Sequence, residues 1–83
     1  MAEWRWEGIT DDLIDGLPPE ALQAVGQLAK ELTVRESMVF LDGRAFTGDP
    51  PGLRTIQRGP LMLVYLTDVR GERVVLIQVN WIG

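Results

Sequence analysis

The chain has 83 residues and a net charge of −4, from eight basic and twelve acidic side chains, and it contains no Cys and no His. A chain of this length forms one domain, residues 1–83, with a core near the lower limit for independent folding. The missing cysteines exclude disulfides, thiol nucleophiles and thiolate metal sites, and the missing histidines exclude an imidazole base. We therefore expect neither a cofactor nor a bound metal.

The N-terminal residues lack the basic and apolar regions of a signal peptide. The longest apolar run, from Leu61 to Leu66, is far shorter than the roughly 20 residues that span a bilayer. These features predict a soluble cytoplasmic protein that does not engage a membrane.

Apolar and charged residues alternate at the N-terminus, and this period of two predicts a strand over residues 2–9. Trp4 and Trp6 would face inward and anchor a small core, with a base-stacking platform as the alternative. Thr10 is positioned to cap a short helical turn over residues 11–15.

The segment Leu17-Pro18-Pro19-Glu20 opens the main helix, because proline fits a first helical turn. Gly26 in its interior predicts close packing against the sheet. Thr33 and Glu36 have the spacing of a capping box, which predicts a second helix from Val34 to about Val39, with a short extended segment over 38–41 as the alternative. The buried stripe of the main helix is predicted to comprise Leu22, Val25, Leu28, Ala29 and Leu32.

After a Gly- and Pro-rich connection over 42–52, three strands are predicted at 53–58, 61–67 and 73–82. The last strand is expected to present one continuous apolar face formed by Val75, Ile77, Val79 and Trp81. The order predicts an α+β domain, with an N-terminal strand, two helices and a three-stranded antiparallel meander, and with the helices packed on one face of the sheet.

Several short segments resemble the RelE/ParE superfamily of small bacterial toxins, which belong to type II toxin–antitoxin systems. The matching segments are Leu53-Arg54-x-Ile56-x-x-Gly59, Leu63-Val64-Tyr65-x-x-Asp68, Val74-Val75-Leu76-Ile77-x-Val79 and Leu17-Pro18-x-Glu20-Ala21. The resemblance implies the fold just described and a toxin bound by an antitoxin. RelE-like members cleave mRNA in the ribosomal decoding site, whereas ParE-like members act on gyrase.

Arg54 matches the arginine of the family's "LR" pair, and the resemblance makes it, with Arg58 on the same strand face, a candidate to bind phosphate or RNA. Pairing of these arginines with Glu3, Glu7 or Asp68 across the sheet is the structural alternative. Other functional positions differ, because Met62 and Gln78 replace frequent family arginines and Trp81 replaces a common histidine. The resemblance therefore assigns no catalytic residue, although retained activity would be that of an mRNA endoribonuclease.

The charge is unevenly distributed, because residues 1–42 contain nine acidic and three basic side chains, whereas residues 43–83 contain three acidic and five basic ones. The net negative charge disfavours non-specific RNA binding. We predict a toxin-type protein that acts mainly by binding an antitoxin or other protein, with Trp81 and Arg73 as partner-binding candidates. The alternatives are a non-enzymatic interaction module with the toxin fold and a ParE-like gyrase inhibitor, and ribosomes, mRNA or a second copy are the other candidate partners.

Overall fold

A computed structural model describes residues 4–83. One α-helix and four strands form an α+β fold, in which the sheet order is β1-β4-β3-β2. The elements in chain order are β1 (Arg5–Gly8), α1 (Pro19–Val39), a 3₁₀ helix (Gly43–Ala45), β2 (Arg54–Arg58), β3 (Leu61–Asp68) and β4 (Arg73–Trp81). The predicted meander is confirmed, but the sheet is mixed, since β1 runs parallel to β4. Residues 2 and 3 of the predicted first strand lie outside the described part.

The prediction of two helices is wrong, because α1 continues for 21 residues through the segment expected to separate them. The Thr33 hydroxyl donates to the carbonyl of Ala29 at 2.8 Å and caps no second helix. Glu36 is buried and bonded to other elements, so it forms no capping box. The extended alternative over 38–41 is also wrong, since α1 includes Met38 and Val39. Residues 11–16 form turns at the position of the predicted helical turn, with hydrogen bonds from the N–H of Leu13 to the carbonyl of Thr10 and from the N–H of Asp15 to that of Asp12.

Helix α1 packs on one face of the sheet and closes the core. Leu22 lies outside this core, contrary to its predicted place in the stripe, and Ala21 is buried in its stead. Trp6 packs against the cluster, and Trp4 stacks on Phe40 with ring centroids 6.5 Å apart. The buried cluster consists of Val25, Leu28, Ala29 and Leu32 of α1 with Leu61, Leu63, Tyr65, Val74 and Leu76 of the sheet.

A β-bulge divides the apolar residues of β4 between two faces. Leu63 pairs with Val79 but Tyr65 pairs with Leu76, so one extra residue of β4 lies between these pairs. Because side chains alternate along a strand, the extra residue reverses the alternation. Val79 and Trp81 therefore pack toward α1, while Val75 and Ile77 face away from it. The predicted continuous apolar face on this strand is wrong.

The sheet face opposite α1, here called the open face, is apolar at its centre. Pro50 and Pro51 border it and, with Ile9, help to enclose a depression of about 460 Å³. Within residues 4–83, no α-helix covers this face, since the single α-helix packs on the other side. The aliphatic side chains of the open face are Met62, Val64, Leu66, Val75 and Ile77, all half-buried. No helix in the described part is both long and apolar enough to cross a membrane.

Candidate interaction surface

A buried carboxylate joins the C-terminal half of α1 to two strands. The side chain of Glu36 is only 2% exposed, and its Oε1 accepts hydrogen bonds from Nη2 of Arg54 and from the hydroxyl of Thr67, the latter at 2.9 Å. Nη2 of Arg54 also donates to the Thr67 hydroxyl at 2.5 Å. A buried charge is tolerated when it is paired and hydrogen-bonded, and all three residues contribute to that requirement here.

Tyr65 extends this polar cluster toward the helix surface. Its hydroxyl accepts a hydrogen bond from Nη2 of Arg35 at 2.7 Å. Arg54 lies opposite Tyr65 in the β2–β3 register, and its guanidinium carbon is 5.0 Å from the centroid of the Tyr65 ring, within the range of a cation–π contact. The guanidinium of Arg54 is therefore held by a carboxylate, a hydroxyl and an aromatic face.

Arg58 makes the second ion pair between β2 and α1. It bonds to Glu31, and both side chains are more than half exposed. Arg54 and Arg58 thus share one face of β2, as predicted, and that face is turned toward the helix. The alternative pairing of these arginines with Glu7 or Asp68 is wrong, because both bond to carboxylates of α1. Glu3, the third carboxylate of that alternative, lies outside the described residues.

The outer surface of α1 carries an apolar stripe next to this cluster. Val34 and Met38, four residues apart, are 52% and 71% exposed. With Lys30, Glu31 and Arg35 they line a shallow groove of about 440 Å³, here called the α1 groove. Glu31 is bonded to Arg58, and Lys30 and Arg35 supply the positive charge at the rim. The α1 groove is therefore apolar with a basic border.

The two predicted partner-binding residues lie away from the α1 groove. On the open face, Arg73 bonds to Glu7 and, through Nε at 2.7 Å, to Asp68. The hydrogen bond from Arg73 lowers the pKa of Asp68 below its ordinary value, and the hydrogen bonds to Asp68 and Glu7 raise the pKa of Arg73. Trp81 is half-buried against the core, and its indole nitrogen is buried with no hydrogen-bond partner among residues 4–83. Their roles in partner binding stay predictions.

The sequence interpretation missed the burial of Glu36 and the exposed stripe of α1. Glu36 follows Leu28 and Leu32 at four-residue steps, so it continues the buried side of the helix. Val34 and Met38 have the same spacing on another side. This periodicity could have predicted both features. The capping-box motif instead suggested that a new helix starts at the same residues.

Neither a metal-binding cluster nor a similar known protein indicates what this surface binds. Among residues 4–83, no group of three or more carboxylates is placed to hold a metal ion. No protein-family model matches the chain, and no curated protein or solved structure is significantly similar to it.

Proposed function

We propose that this protein is a RelE/ParE-like component of a toxin–antitoxin system that acts by binding a protein and does not cleave mRNA. The observation that supports this proposal is the pairing of both candidate phosphate ligands, Arg54 and Arg58, with carboxylates of α1. Cleavage by a ribose 2′-hydroxyl requires cations that stabilise the charge developing on the phosphate. Arg54 does not meet that requirement while it is bonded to the buried Glu36, and the exposed pair with Glu31 offsets the charge of Arg58 more weakly.

The free energies involved favour the ion pair of Arg54 with Glu36 over a bond from Arg54 to a phosphate. Moving this guanidinium to a phosphate would leave Glu36 buried with only Thr67 as a partner, and stranding a buried charge costs about 3–5 kcal/mol. A hydrogen bond to a charged group contributes about 1.5–3 kcal/mol. The exchange is therefore unfavourable, which supports a binding role over a nuclease role.

The α1 groove is the proposed docking surface for the protein partner. Val34 and Met38 supply apolar contact, and Lys30 and Arg35 border it with positive charge on a chain whose net charge is −4. A helix with an apolar stripe flanked by Asp or Glu complements this surface in both shape and charge. We assign such an acidic amphipathic segment to the antitoxin.

The first test is tightly induced expression in a bacterial host, with growth, soluble yield and amino-acid incorporation measured together. The expected result is normal growth and normal incorporation at high soluble yield. Arrest with a prompt fall in incorporation would contradict the proposal. In that event Arg54→Ala would test the nuclease assignment, because loss of the arrest in a folded variant would identify Arg54 as an RNA contact.

The second test measures binding of a synthetic helical peptide with a Leu stripe flanked by Glu, and of the same peptide with Lys in place of Glu. We expect the acidic peptide to bind more tightly, and Met38→Glu to weaken it by at least about tenfold. Leu22→Glu is the matched control, since Leu22 is an exposed apolar residue of α1 outside the groove. Equal binding of the two peptides, or equal effects of the two substitutions, would refute the docking assignment.

A further inference from the structure

The open face is an apolar surface that α1 leaves uncovered within residues 4–83. Residues of β3 alternate between a buried set under α1 and a half-buried set that includes Met62, Val64 and Leu66. In an antiparallel arrangement with one solvated face, the solvated side is normally polar. Here the aliphatic residues continue through β4, where the bulge turns both Val75 and Ile77 to the same side. The pattern is that of a sheet whose second face is also covered.

The charges on this face sum to zero. Arg5, Glu7, Asp68 and Arg73 lie on it, and Arg73 bonds to both carboxylates. Its other polar residues are uncharged: Thr55, Gln57, Gln78 and Asn80. The face therefore attracts neither an acidic nor a basic partner strongly, and selects its occupant by apolar contact.

The electrostatics favour a second copy as that occupant. The chain carries −4 in total, so two copies repel each other through most orientations. Acidic residues of the N-terminal half, such as Asp12, Asp15 and Glu20, lie on the turn and helix that pack on the opposite side of the sheet. Contact between two open faces keeps these acids apart and brings together two neutral, aliphatic surfaces.

The size of the face sets the strength of such a contact. The strands have four, five, eight and nine residues, and at about 3.3 Å per residue and about 4.8 Å between strands they give a footprint of roughly 400 Å². Two such footprints total roughly 800 Å², which lies below the roughly 1,000 Å² of a stable specific interface and in the range of weak, transient contacts. We infer that two copies of this chain associate reversibly through their open faces, as a weak sheet-on-sheet dimer. This inference does not depend on the proposed function.

Sedimentation equilibrium tests the inference over about 1 μM to 1 mM, where an interface of this size dissociates. We expect the average mass to rise with concentration from the 9.3 kDa of the monomer toward twice that value. The variant Val64→Thr/Val75→Thr keeps side-chain shape while making the face polar, and should raise the dissociation constant by at least about tenfold.

The matched control is Leu22→Thr/Val39→Thr, which replaces two exposed apolar residues of α1 that lie outside the α1 groove. It should leave the dissociation constant unchanged. A constant mass of 9.3 kDa for the wild type would overturn the inference, and so would an equal or larger effect of the control.

A measurement on the unaltered protein guards against a variant that fails to fold. In NMR spectra recorded over a dilution series, the backbone amides whose chemical shifts change should lie in β3 and β4 around Val64, Val75 and Ile77. Shifts confined to α1 would place the contact on the helix and refute the role of the open face.

Discussion

Replacing Arg54 by Met tests whether the ion pair with Glu36 is a structural element of the fold. Methionine keeps much of the length and the apolar stem of arginine but removes the charge. Glu36 would then remain 2% exposed, with the hydroxyl of Thr67 as its remaining partner from the cluster. Such a carboxylate must stay charged in a poorly solvated place, bind a proton, or move to water at the cost of unpacking the helix end.

The cost of protonation limits the expected loss of stability. A glutamic acid has an ordinary pKa of about 4.3, so keeping one protonated at pH 7 costs about 3.7 kcal/mol. Loss of one partner of a buried ion pair typically costs about 3–5 kcal/mol. Since Arg54 itself is 36% exposed and water reaches that side of the pair, we expect a loss of about 2–4 kcal/mol in the free energy of unfolding at pH 7.

The loss should depend on pH in a defined direction. In the Arg54→Met variant the folded state favours the protonated acid more than the unfolded state does. The folded state then binds more protons in the range between the two pKa values, so the variant gains stability as pH falls. Near pH 5 the protonation cost is only about 1 kcal/mol, and the difference from wild type should shrink accordingly.

Urea denaturation followed by circular dichroism measures these differences at both pH values. Arg58→Met is the matched control, because its pair with Glu31 is exposed on both sides and contributes less than about 1 kcal/mol. The double variant Arg54→Met/Glu36→Gln should recover most of the lost stability, since it leaves no buried charge. If Arg54→Met costs no more than Arg58→Met, or if its cost is the same at both pH values, the role assigned to the pair is wrong.

Two further substitutions test smaller features of the fold. Gly26→Ala should raise the free energy of unfolding by about 0.5–1 kcal/mol, because an added Cβ meets nothing within 4 Å and alanine is the better helix former; an unchanged or lower melting temperature would contradict this. Asp68→Asn should reduce stability at pH 7 by less than about 1 kcal/mol, since Asp68 and Arg73 are partly exposed. Because the pKa of Asp68 is lowered on folding, its contribution is present above the ordinary value of about 3.9 and disappears as pH falls through the folded value. A difference from wild type that stayed constant down to about pH 2 would exclude this origin.

Local sequence patterns predicted most secondary-structure elements because each depends on neighbouring residues. Alternation, together with the apolar run of the central strand, identified the three C-terminal strands to within about one residue at each end, and the proline pair located the start of α1. The expected close packing at Gly26 was wrong, since that position has free space beside it. A glycine within a helix is compatible with close packing and with free space, so the residue type alone does not distinguish the two.

Features that depend on distant residues were not predictable in this way. The parallel pairing of β1 with β4 joins Arg5 to Arg73 across most of the chain. The bulge at Ile77 was not predicted, because the apolar run Val74–Ile77 and the alternation of Gln78 and Asn80 with Val79 and Trp81 were interpreted as one regular strand. Its effect on side-chain direction appears only when the register with β3 is known, and that register creates the open face.

The interactions of β2 explain why a matching residue type is weak evidence for a matching role. Ile56 is the one apolar side chain that β2 contributes among its five residues, so the strand has little core contact with α1. The ion pairs of Arg54 and Arg58 supply the remaining links to the helix. An arginine at this position can therefore be required for packing an edge strand even where no phosphate is bound. The residue type at Arg54 therefore assigns no function by itself, and function has to be argued from the surfaces that the fold leaves exposed.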